Sequence, residues 1–412
     1  MTESVNRYTQ TAVESYIYGV QTRFYDRAEP YRLLFPLGIA GAAIGIGIWI
    51  PYFFWPHAFP YPGQGHAVIQ IQGFLLCFIF GFLTTMLPKV LGVAPLGPLS
   101  FALFPVLLAG IIGASLADAP ILAQVLHLLV LLNFLAFAAR RFPLRKSAPP
   151  PSFLFIAAAM LVDLTGTVVK LGALSGVLSG QGMRAGSLLQ YQAFPLLLIL
   201  GVGSFLLPKL LADGPIDPKA LRGQPGAGMA APLILCLLFL ASFAVEILGD
   251  VNGFGQGRLQ LAYAVRAAVW IWFLVARIRI HAAKAKLPPF LNGARISLIS
   301  VAVGLLMPVL LPRYLLAWEH LIFISGFLYL TLSIASRVLT AHSGRLDILA
   351  MHGWQVRLYG LLLVLAMLTR IAADIWTRGH WMHLAVAAAL ALAALIIWGR
   401  IFLPLSRILP AR

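Results

Sequence analysis

The chain has 412 residues, 60% of them hydrophobic and 10% charged, with a mean hydropathy of +0.90. Soluble domains carry roughly 25% charged residues, and 26 Phe with only two Cys fit no disordered, collagen-like or disulfide-scaffold class, so a polytopic membrane protein remains. The 30 Lys+Arg against 13 Asp+Glu, a formal charge of +17, therefore bear on membrane topology before any anionic partner.

In chain order, residues 1–32 come first, a segment expected on the cytoplasmic side. They hold Glu3, Glu14, Asp26 and Glu29 and lack the short apolar core of a signal peptide. The stretch Tyr8–Tyr31 reads either as an interfacial amphipathic helix or as a disordered tail. Runs of about 20 apolar residues, the length that crosses a bilayer, follow at 33–55, 66–88, 98–117, 120–139, 152–174, 186–208, 230–249, 259–280, 294–312, 315–336, 355–374 and 380–403. Helix breakers separate them, among them Pro149-Pro150-Pro151, Asp213-Gly214-Pro215 and Pro288-Pro289. The expectation is an all-α protein with one twelve-helix transmembrane domain over 33–403 and a short tail at 404–412. Cys77 and Cys236 fall inside spans, where small buried hydrophobes are the ordinary reading.

If both termini share one side with the loops after even-numbered helices, that side holds 23 Lys/Arg and the other 7. The positive-inside rule then puts both termini in the cytoplasm of a bacterial inner membrane. Arg140, Arg141, Arg145, Lys146, Arg277, Arg279, Lys284 and Lys286 are the strongest inner markers. Scattered over separate loops, the basic residues form no nucleic-acid patch.

The second span reads Gln70-Ile71-Gln72-Gly73-Phe74, then Gly81 and Leu87-Pro88-Lys89. The sixth reads Gln190-Tyr191-Gln192-Ala193-Phe194, then Gly201 and Leu207-Pro208-Lys209, every match at an offset of 120 residues. Paired glutamines at one depth are costly in lipid, which favours a true repeat of four helices over chance. The tenth span gives a looser third copy from Gly326-Phe327-Leu328 to Arg337-Val338-Leu339. Three four-helix arcs are the plan of the haem-copper oxidase catalytic subunit, an analogy of fold alone.

This topology sorts the nine histidines. His57, His66, His127, His320, His380 and His383 lie toward the outer side, and His281, His342 and His352 toward the cytoplasm. Singly, each reads as a packing residue or an interfacial anchor. Converging at one depth, neutral imidazoles suit iron or copper, and two on facing helices would hold a b-type haem. His66 and His320 open the first and third repeats and are the leading pair; His127 lies about 10 Å into the fourth span. His380-x-x-His383 shares one helical face, a spacing that chelates copper or supplies one haem ligand. Arg258, Arg266, Arg313 and Arg370 are candidates for haem propionates, and Arg370 has Asp374 one turn away as an ion-pair partner. Asp163, deepest of the carboxylates, reads either as a relay group or as a structural Asp held by Thr165 or Lys170.

Glu319-His320 is followed by Gly326, Arg337 and His342-Ser343-Gly344-Arg345, the pattern His-x16-Arg-x4-His-Ser-Gly-Arg. This resembles the NnrS family of bacterial membrane proteins, as do twelve helices over the whole chain. The resemblance implies a haem- and copper-containing inner-membrane protein linked to nitric oxide metabolism, denitrification and nitrosative-stress resistance, and it carries over to His320, Arg337, His342, Gly344 and Arg345. The second span departs from the family's His-x-His-Glu start, reading Gln64-Gly65-His66-Ala67-Val68. His320 and His342, 22 residues apart, are separated by about 33 Å on one helix and cannot share a metal. His342-Ser343-Gly344-Arg345 therefore reads as a helix C-terminus, with an inner-side functional site as the alternative. On this reading the partners are membrane lipid, nitric oxide or a related small molecule, and an electron donor.

Two other functions compete. A respiratory oxidase or nitric oxide reductase subunit needs histidines on the sixth and seventh spans, which have none. A cofactor-free transporter is compatible with repeats and intramembrane charges, though these repeats run parallel.

Overall fold

The computed structural model describes residues 29–211, 228–251, 255–282 and 287–408. Residues 8–28 of the stretch that reads either as an interfacial helix or as a disordered tail, the Asp213-Gly214-Pro215 breaker, and the markers Lys284 and Lys286 lie outside them. The described chain is helical, with twelve helices long and apolar enough to span a membrane. These are α1 (Tyr31–Phe54), α2 (Gly63–Leu91), α3 (Pro98–Leu116), α4 (Pro120–Leu144), α5 (Phe153–Leu174), α6 (Gly180–Leu211), α7 (Ala230–Gly249), α8 (Gln256–Ile278), α9 (Pro289–Leu310), α10 (Pro312–His342), α11 (Gly353–Ile375) and α12 (Thr377–Arg407). Every expected span is present, with ends moved by a few residues.

Sequence neighbours pack in pairs, and α12 closes the ring by packing on α1. Burial separates the helices into two classes. In α2, α6 and α10, 72%, 78% and 67% of the apolar stretch is buried, against 28–56% in the other nine. The four-helix period thus places every fourth helix at the centre. Small residues permit the close crossings: a Cβ on Gly186 of α6 would sit 2.8 Å from the Gly166 carbonyl oxygen of α5.

All three inner helices widen into π-helical turns, at Ile69–Leu75, Leu189–Ala193 and Leu321–Leu328. Such turns are frequent at functional sites, because the extra residue per turn opens a gap in the packing. They lie toward the end of the bundle opposite Glu29 and His342, here called the distal end.

At the proximal end the His342-Ser343-Gly344-Arg345 tail closes α10. Gly344 has φ +70°, the Arg345 N–H donates to the Thr340 carbonyl at 2.9 Å, and the Gly344 N–H to the Ala341 carbonyl at 3.3 Å. That is a Schellman terminator, which explains the glycine. A Cβ in the left-handed region costs roughly 1–2 kcal/mol. Gly344→Val is therefore expected to destabilise the protein by about that amount, read as a lower unfolding midpoint in detergent, with Gly97→Val as a helix-start control.

Candidate functional site

Beside the three π-helical turns lies a cavity of about 570 Å³, walled mainly by α1, α2, α6, α10, α11 and α12. That is the size of sites that take drug- or cofactor-sized ligands, ~300–1,000 Å³. His66 of α2, His320 of α10 and His380 of α12 all line it.

These three imidazoles share one arrangement. Nδ1 lies 2.7 Å from the Gly45 carbonyl oxygen in His66, 2.8 Å from that of Leu316 in His320, and 2.9 Å from that of Ala373 in His380. A carbonyl can only accept, so each Nδ1 carries the proton, and in the neutral form of each ring the lone pair lies on Nε2. A backbone acceptor on one nitrogen is how proteins fix the tautomer and orientation of a metal-binding histidine. Arg370 lies within electrostatic reach of both His66 and His320, and those two imidazoles of each other.

The remaining polar wall is a connected network. Gln192 Nε2 donates to Glu319 Oε1 at 2.6 Å, and the Tyr263 hydroxyl donates to Gln192 Oε1 at 3.2 Å. Glu246 also faces the cavity and pairs with Arg266 at 2.7 Å. Arg184 and Arg370 supply positive charge, the latter paired with Asp374 at 2.8 Å. Phe74, Phe323 and Phe327 supply apolar faces. His66, His320 and His380 are legible in the sequence as site residues, whereas Glu319, Arg184 and Gln192, which line the same cavity, are not. A charge inside a span beside a candidate histidine was the available signal for Glu319.

Other candidates lie elsewhere. His127 is buried between α4 and α5, its Nε2 3.1 Å from Asp163 Oδ1. Asp163 therefore has neither expected partner: Thr165 donates to the Leu161 carbonyl and Lys170 to the Tyr191 hydroxyl. Arg266 is fully buried, held by Glu246, by Ser242 and by the rings of Phe243 and Tyr263, and does not line the cavity. His383 sits against Trp376, off the cavity, so the i, i+3 pair is divided. Arg337 is half-buried in the proximal half of α10.

Gln72, Gln124 and Gln190 form a closed ring beside the cavity. Gln72 donates to Gln190, Gln190 to Gln124, and Gln124 to Gln72, each at 3.0 Å. The second amide hydrogen of Gln190 goes to Thr167 Oγ1 at 2.9 Å. Satisfied in this way, three buried amides tie α2, α4 and α6 together.

At the proximal end His342 Nδ1 lies 2.8 Å from Glu29 Oε1, which also receives Lys89 at 2.8 Å, while Arg32 reaches Oε2 at 3.1 Å. Burial alone would raise the Glu29 pKa, but the hydrogen bonds and charges of His342 and Lys89 outweigh it and hold the carboxyl well below the usual carboxylate range. A carboxylate depressed on folding contributes stability that is present above its unfolded pKa, about 4, and lost as pH falls through the lower folded value. Glu29→Gln is expected to lower the unfolding midpoint near neutral pH and to flatten its decline in acid. Parallel acid limbs for the two proteins would remove Glu29 from that role.

A family model described as NnrS protein matches residues 27–407. No curated protein matches the chain.

Proposed function

The chain belongs to the NnrS family, and from that premise we propose a haem-binding inner-membrane protein of the nitric oxide response, with His66 and His320 as the protein ligands of the iron. One observation supports this above the others: both imidazoles, from different inner helices, line one cavity with Nδ1 committed to a backbone carbonyl. A porphyrin brings four nitrogens of its own, so one or two histidines suffice. Haem bound there would supply an iron for a small diatomic ligand and a store for one electron.

The chain's own groups have separable tasks in this reading. The carbonyls of Gly45 and Leu316 fix the tautomer of each imidazole. Arg370 and Arg184 supply positive charge suited to propionates, and the Phe74, Phe323 and Phe327 rings suit a porphyrin face. Glu319, held by Gln192, keeps an acceptor beside His320. Copper has less support, since among the described residues no three His, Cys, Asp or Glu side chains converge as metal ligands. The proposal also takes nitric oxide and an electron donor as partners, and a cytoplasmic location for the proximal end, on the 23-to-7 division of Lys/Arg.

The test is an absorption spectrum with iron and copper analysis of the purified protein. A Soret band with stoichiometric iron is the expected result. A colourless, iron-free protein from haem-replete cells would overturn it and leave the cavity to a transported substrate.

A further inference from the structure

A second cavity, of about 120 Å³, lies between the three inner helices on the proximal side of the π-helical turns. Its lining runs from Leu75 to Leu83 on α2, from Pro195 to Leu207 on α6 and from Phe327 to Ala335 on α10. Those three stretches begin where the π-helical turns end, at Leu75, Ala193 and Leu328, so the cavity occupies the same register in each repeat. Leu75 and Phe327 belong to both cavities and form the partition between them. Along α2 the smaller cavity reaches about 12 Å toward the proximal end.

Its chemistry is unlike that of the histidine cavity. The walls are aliphatic and aromatic side chains, with Thr331 the only side-chain hydroxyl among them. Water held there would lack the two to four polar partners it needs, and an ion would lack any. An apolar cavity of roughly 150 Å³ stays dry and takes up xenon or benzene. The occupant that fits is therefore small, uncharged and weakly polar.

We infer that this chamber binds an uncharged diatomic gas and feeds it to the histidine cavity past Leu75 and Phe327. Apolar gases concentrate in the bilayer core, and the chamber lies at that depth among the inner helices. The inference rests on the haem reading only for which gas is used. The chamber itself needs no cofactor.

Xenon is the probe, followed by 129Xe NMR on the full-length protein in nanodiscs. Wild type should show saturable xenon binding, and Val202→Trp, which fills the chamber from α6, should weaken it at least tenfold. Val202→Ala, which enlarges it, should retain binding. Ile199→Phe fills the same wall and replaces the Trp variant if that one fails to fold. His66→Ala and His320→Ala should bind xenon as wild type does, which separates this inference from the haem assignment. In haem-loaded protein, Val202→Trp should also slow carbon monoxide or nitric oxide association. Absent saturable xenon binding, binding indifferent to both filling variants, or binding abolished by longer-chain lipid tails would each overturn the inference.

Discussion

His66→Ala and His320→Ala are each expected to lower the haem content of the purified protein at least tenfold, and added imidazole is expected to restore part of the Soret absorbance. Both effects originate at the ring nitrogens. With Nδ1 held by Gly45 or Leu316, each histidine offers the cavity one lone pair at a fixed orientation. Alanine removes the ligand and leaves room where the ring stood, so free imidazole can enter. A variant that lost haem through misfolding would gain nothing from imidazole. His352→Ala, on the proximal side between α10 and α11, is expected to leave the spectrum unchanged. Full retention of the band in both single variants, with loss in His380→Ala, would move ligation to α12 and refute the pairing.

Glu246→Ala is expected to destabilise the protein by about 3–5 kcal/mol, the usual cost of leaving one member of a buried ion pair uncompensated. Arg266 has no exposed surface, sits 3.6 Å from the Phe243 ring centroid, and has Glu246 as its anionic partner at 2.7 Å. Ser242 accepts from the guanidinium at 3.1 Å but brings no charge. The double variant Glu246→Leu with Arg266→Met removes both charges and is expected to lose less than either single substitution. Unfolding midpoints in one detergent decide this. Additive losses would mean that the pair is not coupled.

Much of this architecture was legible from the sequence because lipid enforces it. A helix that crosses a bilayer must be long, apolar and internally hydrogen-bonded, so twelve runs of hydropathy became twelve helices with small end errors. The Gln-x-Gln repeat was equally readable, and so was the glycine terminator of α10. The use made of each glutamine was not. At matched positions, Gln70 donates to the Ala42 carbonyl beside the cavity, whereas Gln190 joins the ring with Gln72 and Gln124. Two residues apart on a helix, side chains point to nearly opposite sides, and each repeat meets different neighbours.

The histidines show the same boundary. Depth along a helix follows from counting residues, so the sequence alone could bring His66, His320, His380, His383 and His127 toward one half of the membrane. Rotation about the helix axis, and the neighbour that each face meets, depend on packing. That packing turned His127 onto Asp163 and His383 toward Trp376, while His66, His320 and His380 lined one cavity. The run of hydropathy along the sequence determined that the chain crosses a membrane twelve times. Only the tertiary structure decided which side chains meet, because in lipid the hydrophobic effect sets each helix's depth but leaves its facing to close packing and buried hydrogen bonds.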